Sequence, residues 1–244
     1  MVIVLIITAV RVKSMDSHRI SGRILAENIA GPGMMRLVEQ SMQAQAQKTS
    51  VTEIAVKERK HPQAALTFDD GPDIRYTPLL LDGLKERNVR ASFFLLGEKV
   101  EQYPELVERM QKEGHLVGNH TYHHVQLDKL NETKAREEIL KTNNLIYETT
   151  GVYPLYLRPP FGAWKKNLEL CVEMLPVFWT IDTLDWKVKN TEKIVRTVKE
   201  QIEDGAIILM HDEYDTSVEA ALQVADDLKA QGYQLVTVDQ LILP

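Results

Sequence analysis

Two aspartates, Asp69 and Asp70, stand side by side where the apolar run Ala64-Ala65-Leu66-Thr67-Phe68 ends, and Gly71-Pro72 follows at once. The run is short and bounded by turn formers, which suits an interior strand, and Gly-Pro stops it. Neighbouring strand side chains point to opposite sides, so one carboxylate can hold a metal while the other faces a substrate. Alone, Asp-Asp-Gly-Pro is equally well a solvated turn. Partners elsewhere in the chain must separate the two readings.

The stretch NHTYHH supplies His120, His123 and His124. His120 and His124, four apart, share a face on a helical turn and can grip one ion, with His123 as the substitute ligand. Two histidines and a carboxylate leave a position open for water on a zinc-like ion, and the remaining aspartate is then free to act as a base. A lone His-x-x-x-His is often only a surface helix. Joined to a strand-end Asp pair, it is a much stronger signal.

These residues need elements to position them. From Ala64 onward, apolar strand-like runs alternate with amphipathic stretches: LTF, ASFFLL, HLVGN, PLYL, VFWTI, AIILM and YQLVTV. The intervening patterns predict helices around Thr77 to Asn88, Pro104 to Glu113, Glu132 to Thr149, Lys166 to Leu175 and Glu192 to Glu203. A last helix, about Val218 to Gln231, is expected to open with a capping box, Thr216 to Glu219. About seven strands with helices between them read as parallel α/β, and the regular spacing favours a barrel over an open sheet. In such a fold the active site lies at the carboxyl ends of the strands. Those ends carry Asp69-Asp70, His120 to His124, Arg158 to Gly162, Asp182 to Trp186 and His211-Asp212.

The 244 residues carry a net charge of -6 without a basic block, which argues against a nucleic-acid partner. No glycine-rich phosphate loop follows a strand. The single cysteine, Cys171, excludes an intramolecular disulfide and a cysteine-based zinc site, and reads as a small buried apolar residue. Met1 to Val10 is apolar but too short to span a bilayer. It reads as part of a signal or anchor, or else as a first strand. The first reading places the protein outside the cytoplasm, secreted or held at the cell surface, with any membrane contact confined to that segment. Residues 1–60 as a whole read as an N-terminal segment and linker, and residues 61–244 as the catalytic domain.

LTFDDGPD, HTYHH, RPPFG, DTLDW and ILMHD, in that order, resemble the five motifs of the polysaccharide deacetylase family, the family 4 carbohydrate esterases with a NodB-like domain. The resemblance covers about Pro62 to Pro244. It implies a distorted (β/α) barrel, a divalent metal (zinc, with cobalt as the alternative) and removal of acetyl groups from a sugar polymer. It makes Asp69 the general base and Asp70, His120 and His124 the metal ligands. Arg158 would hold Asp69 ionised, Asp185 would orient His211, and His211 would be the general acid. The backbone N–H of Phe161, where the family more often has Tyr, would help bind the oxyanion, and Trp186 and Leu209 would wall the acetyl pocket. Amide hydrolysis needs an activated water, a stabilised oxyanion and a proton for nitrogen, and these residue types supply them. A structural ion pair between Arg158 and Asp185 is the alternative for those two. The expected substrate is an acetylated polysaccharide, with N-acetylglucosamine units of peptidoglycan or a chitin-like polymer first. An O-acetyl xylan esterase and a non-catalytic carbohydrate-binding relative are the alternatives.

Overall fold

The computed structural model describes residues 61–164 and 174–242. The N-terminal segment, with its apolar start, lies outside them, as do Cys171 and most of the helix expected around Lys166 to Leu175.

The first strand, β1 (Gln63–Asp69), is the centre of a parallel sheet. It pairs with β7 (Ala206–His211) from Ala64↔Ala206 to Asp69↔His211. Its other edge is shared: β8 (Gln234–Leu235) takes Gln63 and Ala64, and β2 (Ser92–Leu95) takes Thr67 to Asp69. Beyond β2 come β3 (Leu116–Asn119), β4 (Tyr156–Leu157) and β5 (Leu175–Pro176), while β6 (Ile181–Asp182) lies outside β7. All of these pairings are parallel. Seven strands form one curled path with β8 as a branch, which is the distorted (β/α) barrel expected from the alternation.

Period-two alternation sorts each strand between two cores. Leu66, Phe68, Phe93, Ile208 and Met210 face the helices and join the larger cluster, with Leu80, Leu84, Val107, Val198 and Val224 packed against them. The opposite face buries Ala65, Phe94, Tyr156, Val177 and Val238. Thr67, Asp69, Leu209 and His211 share the register of that second face, so both ends of the chemistry stand over one apolar plug.

The α-helices among the described residues are α1 (Tyr76–Glu86), α2 (Gly97–Gln102), α3 (Pro104–Lys112), α4 (Glu132–Thr150), α5 (Asp185–Val188), α6 (Thr191–Gln201), α7 (Asp215–Ala230) and α8 (Val238–Ile242). Asn131 caps α4 by accepting from the Lys134 amide at 2.9 Å, and Gly151, at φ 73°, ends it. Asn190 caps α6 in the same way. None of these helices is long and apolar enough to cross a membrane.

Three expectations need correction. The capping box does not form: α7 starts at Asp215, the Thr216 hydroxyl has no partner among the described residues, and Glu219 accepts instead from Thr191 Oγ1 at 3.0 Å. VFWTI is not one strand. Ladder pairing occurs at Leu175–Pro176, where a helix end had been expected, and again at Ile181–Asp182. Between them the carbonyls of Val177 and Phe178 accept from Arg158, at 3.4 and 3.5 Å, instead of pairing with a strand. The final run YQLVTV yields only a two-residue strand before α8, because the Val238 amide is taken by Ser92 Oγ at 3.0 Å and the chain turns helical.

Candidate active site

The strand ends converge as expected. Asp69 and Asp70 separate because Asp70 leaves the strand in the left-handed conformation, φ 68°. Asp69 stays in register and points at Arg158, whose Nη1 donates to Asp69 Oδ1 and to Thr67 Oγ1, each at 2.7 Å. Arg158 is wholly buried, with its guanidinium 4.2 Å over the Phe94 ring. Burial pushes the Asp69 carboxyl above its ordinary range; Arg158, and more weakly His211 and His124, pull it back without cancelling the rise. The arginine thus opposes protonation of Asp69 rather than holding its pKa low. Arg158 makes no pair with Asp185, so the alternative pairing is not formed.

Asp185 instead serves His211. Its Oδ1 lies 2.7 Å from His211 Nδ1, and its Oδ2 accepts the His211 amide at 2.8 Å and the Ser217 hydroxyl at 2.7 Å. Burial works against a charged His211 ring, but the Asp185 hydrogen bond and charge, with help from Asp69 and Asp70, raise its pKa to about 9. With Nδ1 engaged, Nε2 faces the site, 3.9 Å from Asp70 Oδ2.

Asp70, His120 and His124 place one donor atom each within 4.8 Å of one another. His120 Nε2 and His124 Nε2 stand 3.4 and 3.5 Å from Asp70 Oδ1. A tetrahedral ion with bonds of roughly 2.0–2.1 Å spaces its ligands about 3.4 Å apart, so the triplet fits. Two further features agree. Asp70 Oδ1 is buried without a hydrogen-bond partner among the described residues. The Arg158 carbonyl lies 2.6 Å from His120 Nδ1, so that nitrogen donates and Nε2 presents its lone pair. Burial keeps the His120 ring neutral, its pKa down at about 3.

The helical turn expected for His120 to His124 is absent. The segment is a loop with Thr121 at φ 67° and His124 at φ 54°, and it brings the two imidazoles to 5.0 Å between centroids. His123 points away, with Nδ1 2.8 Å from Glu138 Oε1, and is no substitute ligand. Of the seven non-glycine residues with positive φ among the described residues, Asp70, Thr121, His124, Phe161 and Leu184 all lie on loops leaving the carboxyl ends of strands. Such conformations cost of order 1–3 kcal/mol each and persist only where the surroundings over-determine them.

Phe161 follows Pro159-Pro160 at φ 59°, and its ring, 67% exposed, lies 4.5 Å from that of His124. Trp186 is half-exposed in the first turn of α5, and Leu209 is buried two residues before His211. Sequence reasoning gave no role to Asp212. Wholly buried, it accepts from the Thr77 hydroxyl, and its Oδ1 sits where a Cβ on Gly71 would come within 2.5 Å. It thereby braces the turn that carries Asp70. Burial raises its pKa to about 7, against the pull of Thr77 and Lys99. Its place in ILMHD, beside His211, was the available signal.

Fold and site together define a (β/α)-barrel protein with a candidate metal triplet at the carboxyl ends of its strands, flanked by a buried carboxylate and a carboxylate-bound histidine. The sequence pattern of the polysaccharide deacetylase family matches residues 56–177, and the chain belongs to that family. It is 42% identical over 185 residues to the peptidoglycan-N-acetylglucosamine deacetylase PgdA of Listeria monocytogenes, covering 76% of this chain and 40% of that protein. It is 44% identical over 177 residues to the peptidoglycan-N-acetylmuramic acid deacetylase PdaC of Bacillus subtilis, covering 72% of this chain and 38% of that one. The solved structure of PdaC superposes with a TM-score of 0.73 at 43% identity, covering 75% of this chain and 91% of that one. The chain thus spans about 40% of the length of these curated relatives.

Proposed function

We propose that the protein hydrolyses N-acetyl groups from amino sugars of peptidoglycan, N-acetylglucosamine first, using zinc at Asp70, His120 and His124. The observation that carries this reading is the pair of oriented proton carriers, Asp69 on Arg158 and His211 on Asp185, on either side of the metal triplet. A bound divalent ion supplies a Lewis acid for the amide carbonyl and lowers the pKa of water.

The chain's own residues do the rest. Asp69 Oδ1 is committed to Arg158, so Oδ2, 3.7 Å from His120 Nε2, is the oxygen that receives the proton of the attacking water. The water oxygen bonds to the carbonyl carbon, and the Phe161 amide takes part of the developing oxyanion charge. His211, kept protonated by Asp185, gives its Nε2 proton to the nitrogen as the C–N bond breaks, releasing acetate and a free amine. Trp186 and Leu209 enclose the acetyl methyl. Asp69 and His211 are both present and both oriented, which favours turnover over a binding module.

N-Acetylmuramic acid is the second reading, supported by the 44% identity to PdaC. A wall polymer lies outside the cytoplasm, where we place the protein's action, with Met1 to Val10 as the candidate export or anchoring segment. The test is acetate release from peptidoglycan, chitooligosaccharides and acetylated xylan, before and after chelation and with zinc or cobalt restored. Metal-dependent release from peptidoglycan above the other two is expected. Preference for xylan, or release unaffected by chelation, would overturn the proposal.

A further inference from the structure

The two imidazoles of the metal triplet are held differently. His120 is fixed by its own ring, through the Arg158 carbonyl. Among the described residues no hydrogen bond fixes the His124 ring, which lies beside the rings of His120 and Phe161 and the carboxylate of Asp70. Its position is therefore inherited from the backbone of the loop 121–124.

That loop is pinned from two sides. Its carbonyls are taken by the start of α2: the Gly97 amide donates to Thr121 O at 3.0 Å and the Glu98 amide to Tyr122 O at 3.2 Å. Two of its amides are taken by one side chain on α4. Glu138 Oε2 accepts the Tyr122 amide at 3.0 Å and the His123 amide at 2.9 Å, while Oε1 lies 2.8 Å from His123 Nδ1. The same helix adds Asn143 Oδ1, which accepts at 2.7 Å from Asn119, whose own Oδ1 receives the Thr121 amide at 2.6 Å. Lys141, three residues after Glu138, sets its ammonium 3.4 Å from the centre of the Tyr122 ring. A β-branched residue at φ 67° and a histidine at φ 54° need such bracing, since both conformations are disfavoured.

We infer that Glu138 is a positioning residue for the metal site: by holding three donors of the loop it sets where His124 presents Nε2. This rests on the ligand assignment made above. The negative charge is not what the role requires. A glutamine can keep the amide-accepting oxygen and turn its NH2 toward His123, whereas an aspartate keeps the charge and withdraws the oxygens by one methylene.

The test measures zinc affinity by competition with a chromophoric chelator, and the thermal midpoint of the metal-free protein, for Glu138→Ala, Glu138→Asp, Glu138→Gln, His123→Ala and His124→Ala. Partners of metal-ligating residues typically contribute roughly 10–100-fold in affinity. Glu138→Ala and Glu138→Asp are expected to weaken zinc binding by about that factor. Glu138→Gln and His123→Ala, which retain the two amide bonds, are expected to stay within about 3-fold of the parent. If Glu138→Ala fails to fold, the Asp and Gln variants still decide. Affinity unchanged in Glu138→Asp, or Glu138→Gln as damaged as Asp, overturns the positioning role. A lowered midpoint with parental affinity overturns it too. Parental affinity in His124→Ala would instead overturn the ligand assignment.

Discussion

Replacing Arg158 by Met keeps most of the side-chain volume over Phe94 and removes the guanidinium. Thr67 keeps a partner, since its hydroxyl also donates to Ile208 O at 2.7 Å. Asp69 does not: it is 3% exposed, and among the described residues Arg158 is the one hydrogen-bond donor to its carboxylate. Breaking one side of a buried pair typically costs about 3–5 kcal/mol, because the other charge is left without compensation. Burial already raises the Asp69 pKa above its value in the unfolded chain, and losing Arg158 raises it further. A carboxyl with a raised folded pKa binds more protons folded than unfolded, so the variant should lose stability as pH rises from about 4 toward neutrality. Urea unfolding with the metal chelated should therefore show a loss of about 3–5 kcal/mol at pH 8 and a smaller one at pH 5. Adding Asp69→Asn removes the stranded charge and should recover about 1–3 kcal/mol without restoring turnover. A single variant within about 1 kcal/mol of the parent at pH 8, or a double variant no more stable than the single, would refute the reasoning.

Gly71→Ala drives a Cβ into Asp212 Oδ1 and should cost about 1–3 kcal/mol. It should also weaken metal binding through the adjacent Asp70, both read by thermal unfolding with and without zinc. Burial depresses the His115 pKa to about 4, so its contribution is full above about 6.5 and is lost as pH falls toward 4. At about 1.4 kcal/mol per pH unit, that gap sets a ceiling near 3 kcal/mol. His115→Asn, which offers an acceptor to the Ala91 amide without titrating, should flatten the fall in urea-unfolding stability between pH 6.5 and 4. A chain beginning at Val51 is expected to fold by circular dichroism and to keep its acetate release.

The sequence reveals most of what sits at strand ends, because residues that do chemistry there interrupt apolar runs. Asp69, Asp70, His120, Arg158, Asp185 and His211 all stand out in this way. Bracing residues do not. Glu138 lies mid-helix among other charged residues and acts on backbone amides 15 and 16 residues earlier, a relation that no local pattern encodes. Asp212 was visible as a residue but not as a brace, since its partner Thr77 is 135 residues away. The i, i+4 spacing of His120 and His124 suggested a helix, and positive φ at Thr121 and His124 achieves the same convergence in a loop. Val177 and Phe178 look like strand residues, yet a buried guanidinium competes successfully for their carbonyls.

The division of labour between ligands and proton carriers is tested most directly by measuring bound zinc per chain and acetate release together in Asp69→Asn, His211→Ala and Asp70→Asn. The first two should retain about one zinc per chain and lose roughly 10²–10⁴-fold in turnover, His211→Ala more on amide than on ester substrates, because an alkoxide leaves more readily than an amine anion. Asp70→Asn should lose the zinc. Loss of zinc from His211→Ala, or undiminished amide turnover in either proton-carrier variant, would contradict the account.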